Sequence, residues 1–309
     1  MRYLRYMKIT RRKHLHQLSV LAALPILPHF SFLQNPVMIK RNTSTGEQIP
    51  VVGLGTWQTF DVGNSPTATD PLKEVLTTLV EKGGSVIDSS PMYGRSEKMV
   101  GNLSTELNIN NKLFIATKVW TTGKEQGIKQ MNESFQLLGR KQLDLMQIHN
   151  LVDWRTHLTT LRDWKTQQKI RYIGITHYTE SAYDQVEQIM KREPIDFLQI
   201  NYSLLSRKAE ECLLPLAQEK KISVLINRPF EEGALFNRMR GKNLPAWANE
   251  FDCTSWGQFF LKFILSHPAV TCVIPGTSKP QHMADNAMAG FGKLPDADHR
   301  KKMIALLNA

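Results

Sequence analysis

The chain has 309 residues, 22% of them charged, and a formal net charge of +11 at pH 7. That length suits one large domain and a tail, since one α/β barrel takes about 250 residues. Eight Lys or Arg and no acid fall in residues 1 to 41, which leaves +3 of the charge for all that follows; a nucleic-acid-binding body has no support. The cysteines Cys212, Cys253 and Cys272 are odd in number, far apart and without ligand spacing, which argues against a disulfide framework and against a metal site.

In chain order, a basic segment from Thr10 to His14 contains Arg11-Arg12 and precedes an apolar run from Leu18 to Pro28. This pattern predicts a bacterial twin-arginine export signal over residues 1–36. The run is shorter than the ~20 residues of a spanning helix, and Pro25 and Pro28 interrupt it, so no stable membrane span is expected. The destination would be the periplasm, with the export machinery as a partner. The alternative is a cytoplasmic protein with either a disordered extension or a mis-assigned start, Met38 then being the internal start. The folded body is expected over 37–309.

Val37 to Arg41 and Gln48 to Val52 flank Ser44-Thr45-Gly46 and predict a hairpin. Gly53-Leu54-Gly55-Thr56-Trp57 follows without a GxGxxG fingerprint. Leu72, Val75, Leu76 and Leu79 recur at helical spacing, and Gly83-Gly84 ends that helix. Strands are then predicted at 85–88, 113–118, 143–148, 171–176, 197–201 and 222–227. Helices are predicted between them at 96–108, 125–139, 154–168, 179–192 and 208–220, the first with Ser96 as N-cap. The stretch 228–253 is read as an irregular covering loop. A helix at 254–266, a strand at 270–274 and helices at 279–289 and 296–308 close the chain. A repeat of roughly 25 to 35 residues is the size of a βα unit.

Three successive strands end in Asp88, Lys118 and His149, with Tyr93 in the first loop. In a parallel barrel these ends share one face, so the four side chains can converge. At this point the sequence resembles the aldo-keto reductases. The resemblance rests on the Gly53–Trp57 stretch, Asp88 with Tyr93-Gly94, Ala116-Thr117-Lys118, Gln147-Ile148-His149, Ile173-Gly174-Ile175-Thr176, Gln199-Ile200-Asn201-Tyr202 and Ile274-Pro275-Gly276-Thr277. It implies an α/β fold, an eight-stranded parallel (β/α)8 TIM barrel with an N-terminal β-hairpin and extra C-terminal helices. It also implies carbonyl reduction with a nicotinamide cofactor, NADP(H) preferred and NAD(H) not excluded, on a small-molecule carbonyl substrate.

The matching positions make Tyr93 the proton donor. A phenol near pKa ~10 is too weak an acid unless a positive charge stabilises its phenolate. Lys118 is the candidate for that charge, Asp88 for its partner, and His149 for a hydrogen bond to the carbonyl oxygen or a proton relay. For the cofactor the resemblance points to Thr56, Gln199 and the pair Thr176-His177, the last standing where the family has Ser-Asn. Where a tyrosine often stacks on the nicotinamide this chain has Asn227, so Arg228 or Phe230 would cover the ring. Gly276, Thr277, Ser278 and Lys279 lead into a helix and suit a phosphate, with Lys279 on the 2′-phosphate and His282 nearby, and Asn286, preceded by Asp285, matches the family's acidic-Asn pair at the adenine. Trp57, Met92 and Trp120 would form an apolar substrate mouth, which Trp154 either joins or leaves for the outer helix. Two alternatives stand beside the reductase. One is a nicotinamide-binding sensor with little turnover; the other is an aldolase with Lys118 as Schiff-base nucleophile.

Overall fold

Apolar runs that must be buried on both faces dominate the chain after residue 50, and each pairs in parallel with the next. The computed structural model describes residues 37–308; the twin-arginine segment lies outside the described residues. A hairpin, β1 (Lys40–Asn42) and β2 (Gln48–Pro50), comes first. Its turn uses Gly46 at a φ of 89°, a left-handed conformation that glycine adopts without steric cost.

The barrel strands follow as β3 (Leu54–Gly55), β4 (Val86–Asp88), β5 (Phe114–Val119), β6 (Leu143–His149), β7 (Ile170–Thr176), β8 (Phe197–Asn201), β9 (Ser223–Asn227) and β10 (Cys272–Val273). They lie side by side in sequence order. Parallel bridges Val52–Val273 and Gly55–Gly276 join the first strand to the last. The result is an eight-stranded (β/α)8 barrel. Its helices are α1 (Pro66–Glu81), α2 (Ser96–Glu106), α3 (Lys124–Leu137), α4 (Trp154–Thr166), α5 (Tyr183–Arg192) and α6 (Leu213–Glu219). After β9 come α7 (Ala234–Arg238) and α8 (Trp256–Leu265), and after β10 come α9 (Pro280–Met288) and α10 (Ala297–Asn308). Among the described residues no helix is long and apolar enough to cross a membrane.

Several boundaries differ from the sequence reading. Helix α1 begins at Pro66, because a proline at the first helical position loses no hydrogen bond there. The helices expected at 179–192 and 208–220 open with 3-10 turns, Glu180–Ala182 and Lys208–Glu210. The expected covering loop contains α7 and a 3-10 turn at Ala246–Phe251. Ser96 is the first residue of α2, whose N-cap is Arg95. Its hydroxyl donates to the Tyr93 carbonyl at 2.8 Å and so ties down the tyrosine's own backbone.

Period-two alternation explains why chemistry collects at one end. Val86, Phe114, Ala116, Leu145, Tyr172, Phe197 and Leu225 belong to the small core inside the barrel, which Ile49 of the hairpin joins. One step along the same faces come Asp88, Lys118, Gln147, Gly174, Gln199 and Asn227. At the opposite end, Arg171 pairs with Asp144 at 2.6 Å and with Glu47, while Tyr172 donates to Glu47 at 2.7 Å. These contacts fasten the hairpin to β6 and β7 beneath the barrel.

Candidate active site

Asp88 ends β4, Lys118 lies one residue from the end of β5, and His149 ends β6. Lys118 is fully buried, and its ammonium donates to Asp88 Oδ2 at 2.6 Å and to the Ser89 carbonyl at 2.7 Å. Asp88 Oδ1 accepts from Gln147 at 3.0 Å and Gln199 at 2.7 Å. The carboxylate is therefore held by one cation and two amides. The Lys118 ammonium stands 5.0 Å from the Tyr93 ring centroid. The Tyr93 ring meets His149 edge to face at 5.7 Å, and His149 Nδ1 lies 3.0 Å from Ser90 Oγ. Gly94, at a φ of 61°, makes the turn after Tyr93; a Cβ there would sit 2.4 Å from the Asp61 carboxylate that holds Arg95.

Electrostatics divides these groups by role. Burial opposes the Lys118 ammonium, but Asp88 and then Tyr93 more than offset it, so its pKa stands above the ordinary lysine value. Burial pushes His149 down, helped by the Lys118 charge and by His177, to about 2; the imidazole is neutral at pH 7. Tyr93 departs from the sequence expectation. Burial raises its pKa, and the opposing pull of Lys118 does not overcome it. The phenol keeps its proton at neutral pH.

Asp88, Tyr93 and His149 face a cavity of about 730 Å³, and Lys118 is buried against Asp88 outside its wall. Trp57, Met92 and Trp120 line its mouth and are partly exposed. Gln130 fixes Trp120 by accepting from its N–H at 2.6 Å and donating to its carbonyl at 3.2 Å. Thr56, Thr176, Gln199, Asn227, Arg228, Phe230 and Gly276 also line the wall. The Thr56 hydroxyl is bonded to the Asp88 carbonyl and Ser89. Gln199 spends its donors on Asp88 and, at 3.3 Å, on Gln147, and accepts from Thr176 at 3.2 Å. In this arrangement it ties that wall to the charged pair. Asn227 Oδ1 and Arg228 Nε are buried without a hydrogen-bond partner.

Other expected residues fall elsewhere. His177 is not part of the cavity wall; it stacks on Tyr178 at 5.6 Å, and Tyr178 takes the wall position. Trp154 starts α4, outside the cavity, with the Arg155 guanidinium 4.3 Å from its ring. Thr277, Ser278, Lys279, His282 and Asn286 lie beyond the cavity at α9. There Ser278, Lys279 and His282 are exposed, and the Thr277 hydroxyl accepts the Lys279 N–H at 3.1 Å. Asp285 does not face outward; it accepts from Ser255 and Gln258, both at 2.7 Å. Arg228, Glu231, Glu232 and Gly233 all have positive φ, from 48° to 94°. For each non-glycine that costs roughly 1–2 kcal/mol. Arg228 faces Glu232 at 3.3 Å across this strained turn.

Sequence reasoning did not single out Ser90, Gln147, Tyr178, Glu232 or Phe236 as site residues. Alternation carried a signal for two of them, since Ser90 follows Asp88 by two and Gln147 precedes His149 by two. The others depend on loop conformation.

The aldo/keto reductase family model matches residues 51–303. The aldo-keto reductase YhdN of Bacillus subtilis is 26% identical over 210 residues, 63% of this chain and 62% of that protein, so the match spans less than two thirds of YhdN. The methylglyoxal reductase YeaE of Escherichia coli is 27% identical over 248 residues, 77% of this chain and 84% of that protein. A crystal structure of an aldo/keto reductase from Klebsiella pneumoniae in complex with NADP and acetate has a TM-score of 0.71 at 23% identity, covering 88% of this chain and 96% of that one. That likeness agrees with the barrel described above. By the family model, which spans most of the folded body, the chain belongs to the aldo/keto reductase family.

Proposed function

We propose that this chain reduces aldehydes or ketones to alcohols, with NADP(H) as the hydride carrier. The observation that carries the proposal is the convergence of Asp88, Tyr93 and His149 on one cavity, with the Lys118 ammonium buried against Asp88 and 5.0 Å from the Tyr93 ring. When bound, the nicotinamide supplies the hydride that no side chain provides. Tyr93 holds the proton destined for the carbonyl oxygen, and burial keeps it there at pH 7. Lys118 stabilises the phenolate left behind, while Asp88, Gln147 and Gln199 keep that ammonium in place. Neutral His149 orients the carbonyl oxygen. Trp57, Met92 and Trp120 exclude water and favour apolar or aromatic carbonyl compounds.

The residues present fit such a cofactor. Asn227 Oδ1 is an unpaired buried acceptor in the wall, suited to a carboxamide N–H. Ser278, Lys279 and His282 are exposed around the start of α9, suited to phosphate, with Asn286 one turn on. YhdN and YeaE, named as reductases, support carbonyl reduction, and the Klebsiella structure in complex with NADP supports the cofactor. An aldolase reading is disfavoured, because a Schiff-base lysine needs a free amine, whereas Lys118 is buried as an ammonium with a raised pKa.

The test is nicotinamide oxidation by the full chain with a reactive aromatic aldehyde, beside Tyr93→Phe. A fall in kcat of about 10²- to 10⁴-fold is expected in the variant. Binding of NADPH with no turnover on any carbonyl would favour the sensor. Lys279→Ala should raise KM for NADPH and leave KM for NADH unchanged. For residues 1–36 we propose twin-arginine export to the periplasm; loss of export of a fused reporter on Arg11→Lys/Arg12→Lys is the expected result.

A further inference from the structure

We propose that Ser90 is a positioning residue that sets the tautomer of His149, placing the single imidazole proton on Nε2, away from Ser90. The inference takes its catalytic consequence from the carbonyl-reductase reading, but the hydrogen bond behind it does not depend on that reading.

Ser90 lies two residues beyond Asp88 and is fully buried. Its Oγ accepts the Met92 N–H at 3.3 Å and sits 3.0 Å from His149 Nδ1. Among the described residues these are its only side-chain partners. A serine hydroxyl has one proton to donate, and Nδ1 is the acceptor in range. Were Nδ1 protonated, Oγ would accept two N–H groups and its own proton would be stranded where water does not reach. Leaving a buried donor unmade is unfavourable enough to bias the tautomers by about tenfold or more. The arrangement therefore makes Ser90 the donor and Nδ1 the acceptor.

His149 carries only one ring proton, because burial, the Lys118 charge and His177 all disfavour a second. With Nδ1 accepting, that proton is on Nε2, which has no partner among the described residues. The ring itself lines the cavity, edge to face with Tyr93 and 6.4 Å from Trp120. A carbonyl oxygen accepts hydrogen bonds, so a ring nitrogen offering an N–H orients it and one offering a lone pair repels it. The neighbouring Tyr93 contributes the other donor. Ser90 thus acts through His149 and need not touch the substrate.

The experiment is two-bond ¹⁵N–¹H correlation NMR on the full chain labelled at histidine, with His149→Gln to assign the resonances. In the unsubstituted protein His149 should be the Nε2–H tautomer. In Ser90→Ala the Nδ1–H share, held below about a tenth by that bias, should rise to a clearly measurable fraction, with kcat falling in proportion to the lost Nε2–H form and KM for the nicotinamide unchanged. Ser90→Thr, which keeps the hydroxyl, should restore both the tautomer and most of kcat, and circular dichroism melts confirm that each variant folds. A proton on Nδ1 in the unsubstituted protein overturns the assignment. So does an unchanged tautomer in Ser90→Ala. An Nε2–H tautomer that depends on Ser90, in a protein that turns over no carbonyl, would leave the assignment standing and sink the reductase reading instead.

Discussion

The Lys118–Asp88 pair offers a sharp quantitative test of the site. The ammonium and carboxylate are 2.6 Å apart, with side-chain exposures of 0% and 4%. At an effective dielectric of about 20 their attraction is about 6 kcal/mol, most of it offset by desolvation. Removing one partner leaves the other charge stranded, which costs roughly 3–5 kcal/mol. The two single variants should differ. Lys118→Met leaves Asp88 with amide donors from Gln147 and Gln199, so it should sit at the low end. Asp88→Asn leaves Lys118 only the Ser89 carbonyl as a strong acceptor, so it should cost more. In the double variant the asparagine oxygen still accepts from both glutamines and no charge is buried. It should lose less than either single, which makes the coupling several kcal/mol. Equilibrium urea unfolding at pH 7, with midpoints compared at constant m, reads all three. Losses that simply add, or single variants within about 0.5 kcal/mol of the parent, would refute a buried, mutually dependent pair.

Two further outcomes follow from the same geometry. A Cβ on Gly174 would lie 2.9 Å from Gln147 Cγ and 3.2 Å from both Leu145 and Phe197; Gly174→Ala should cost about 1–3 kcal/mol in urea unfolding and lower kcat, with Gln147→Ala relieving part of the stability loss. His149 has its folded pKa depressed to about 2, so between the unfolded value near 6.5 and that limit the unfolded chain binds a proton the native state refuses, and stability falls as pH falls. The expected loss is about 1 kcal/mol between about pH 6 and pH 5, read from urea midpoints, and His149→Gln should lack that increment.

The barrel was legible because its strands are short, apolar and separated by helical periodicity, and because a parallel barrel sends every strand end to one face. That logic placed Asp88, Lys118 and His149 together without knowledge of a single contact. What it missed depends on loop conformation or long-range packing. Ser96 looks like an N-cap, yet α2 starts one residue earlier than a cap there would allow, and the hydroxyl binds the Tyr93 carbonyl. His177 was expected at the cofactor, but the chain turns so that Tyr178 reaches the wall and His177 stacks behind it. The Tyr93 pKa was expected to fall under Lys118; the degree of burial, which reverses the direction, appears only once the cavity is formed. Asp285 is adjacent to Asn286 in sequence, but its carboxylate is taken by Ser255 and Gln258 from α8 and the turn before it.

Polar groups inside a barrel are costly unless satisfied, and the way this ring is satisfied governs how its residues respond to change. Asp88 accepts from Lys118, Gln147 and Gln199; Gln199 in turn accepts from Thr176 and, at 3.5 Å, from Asn227. A chain of hydrogen bonds therefore runs from the proposed cofactor wall at Asn227 through Gln199 and Asp88 to the ammonium beneath Tyr93. Groups linked in this way do not contribute independently. Removing the Gln199 amide would both weaken the hold on Asp88 and leave Asn227 with only the His177 carbonyl, at 3.4 Å, as acceptor, so its effect on catalysis should exceed that of losing one hydrogen bond. It should also shrink in a background where Asp88 or Lys118 is already gone. The Asp88–Lys118 pair read from strand ends is thus one face of a larger unit, whose other members are the uncharged side chains of Gln147, Gln199, Thr176 and Asn227.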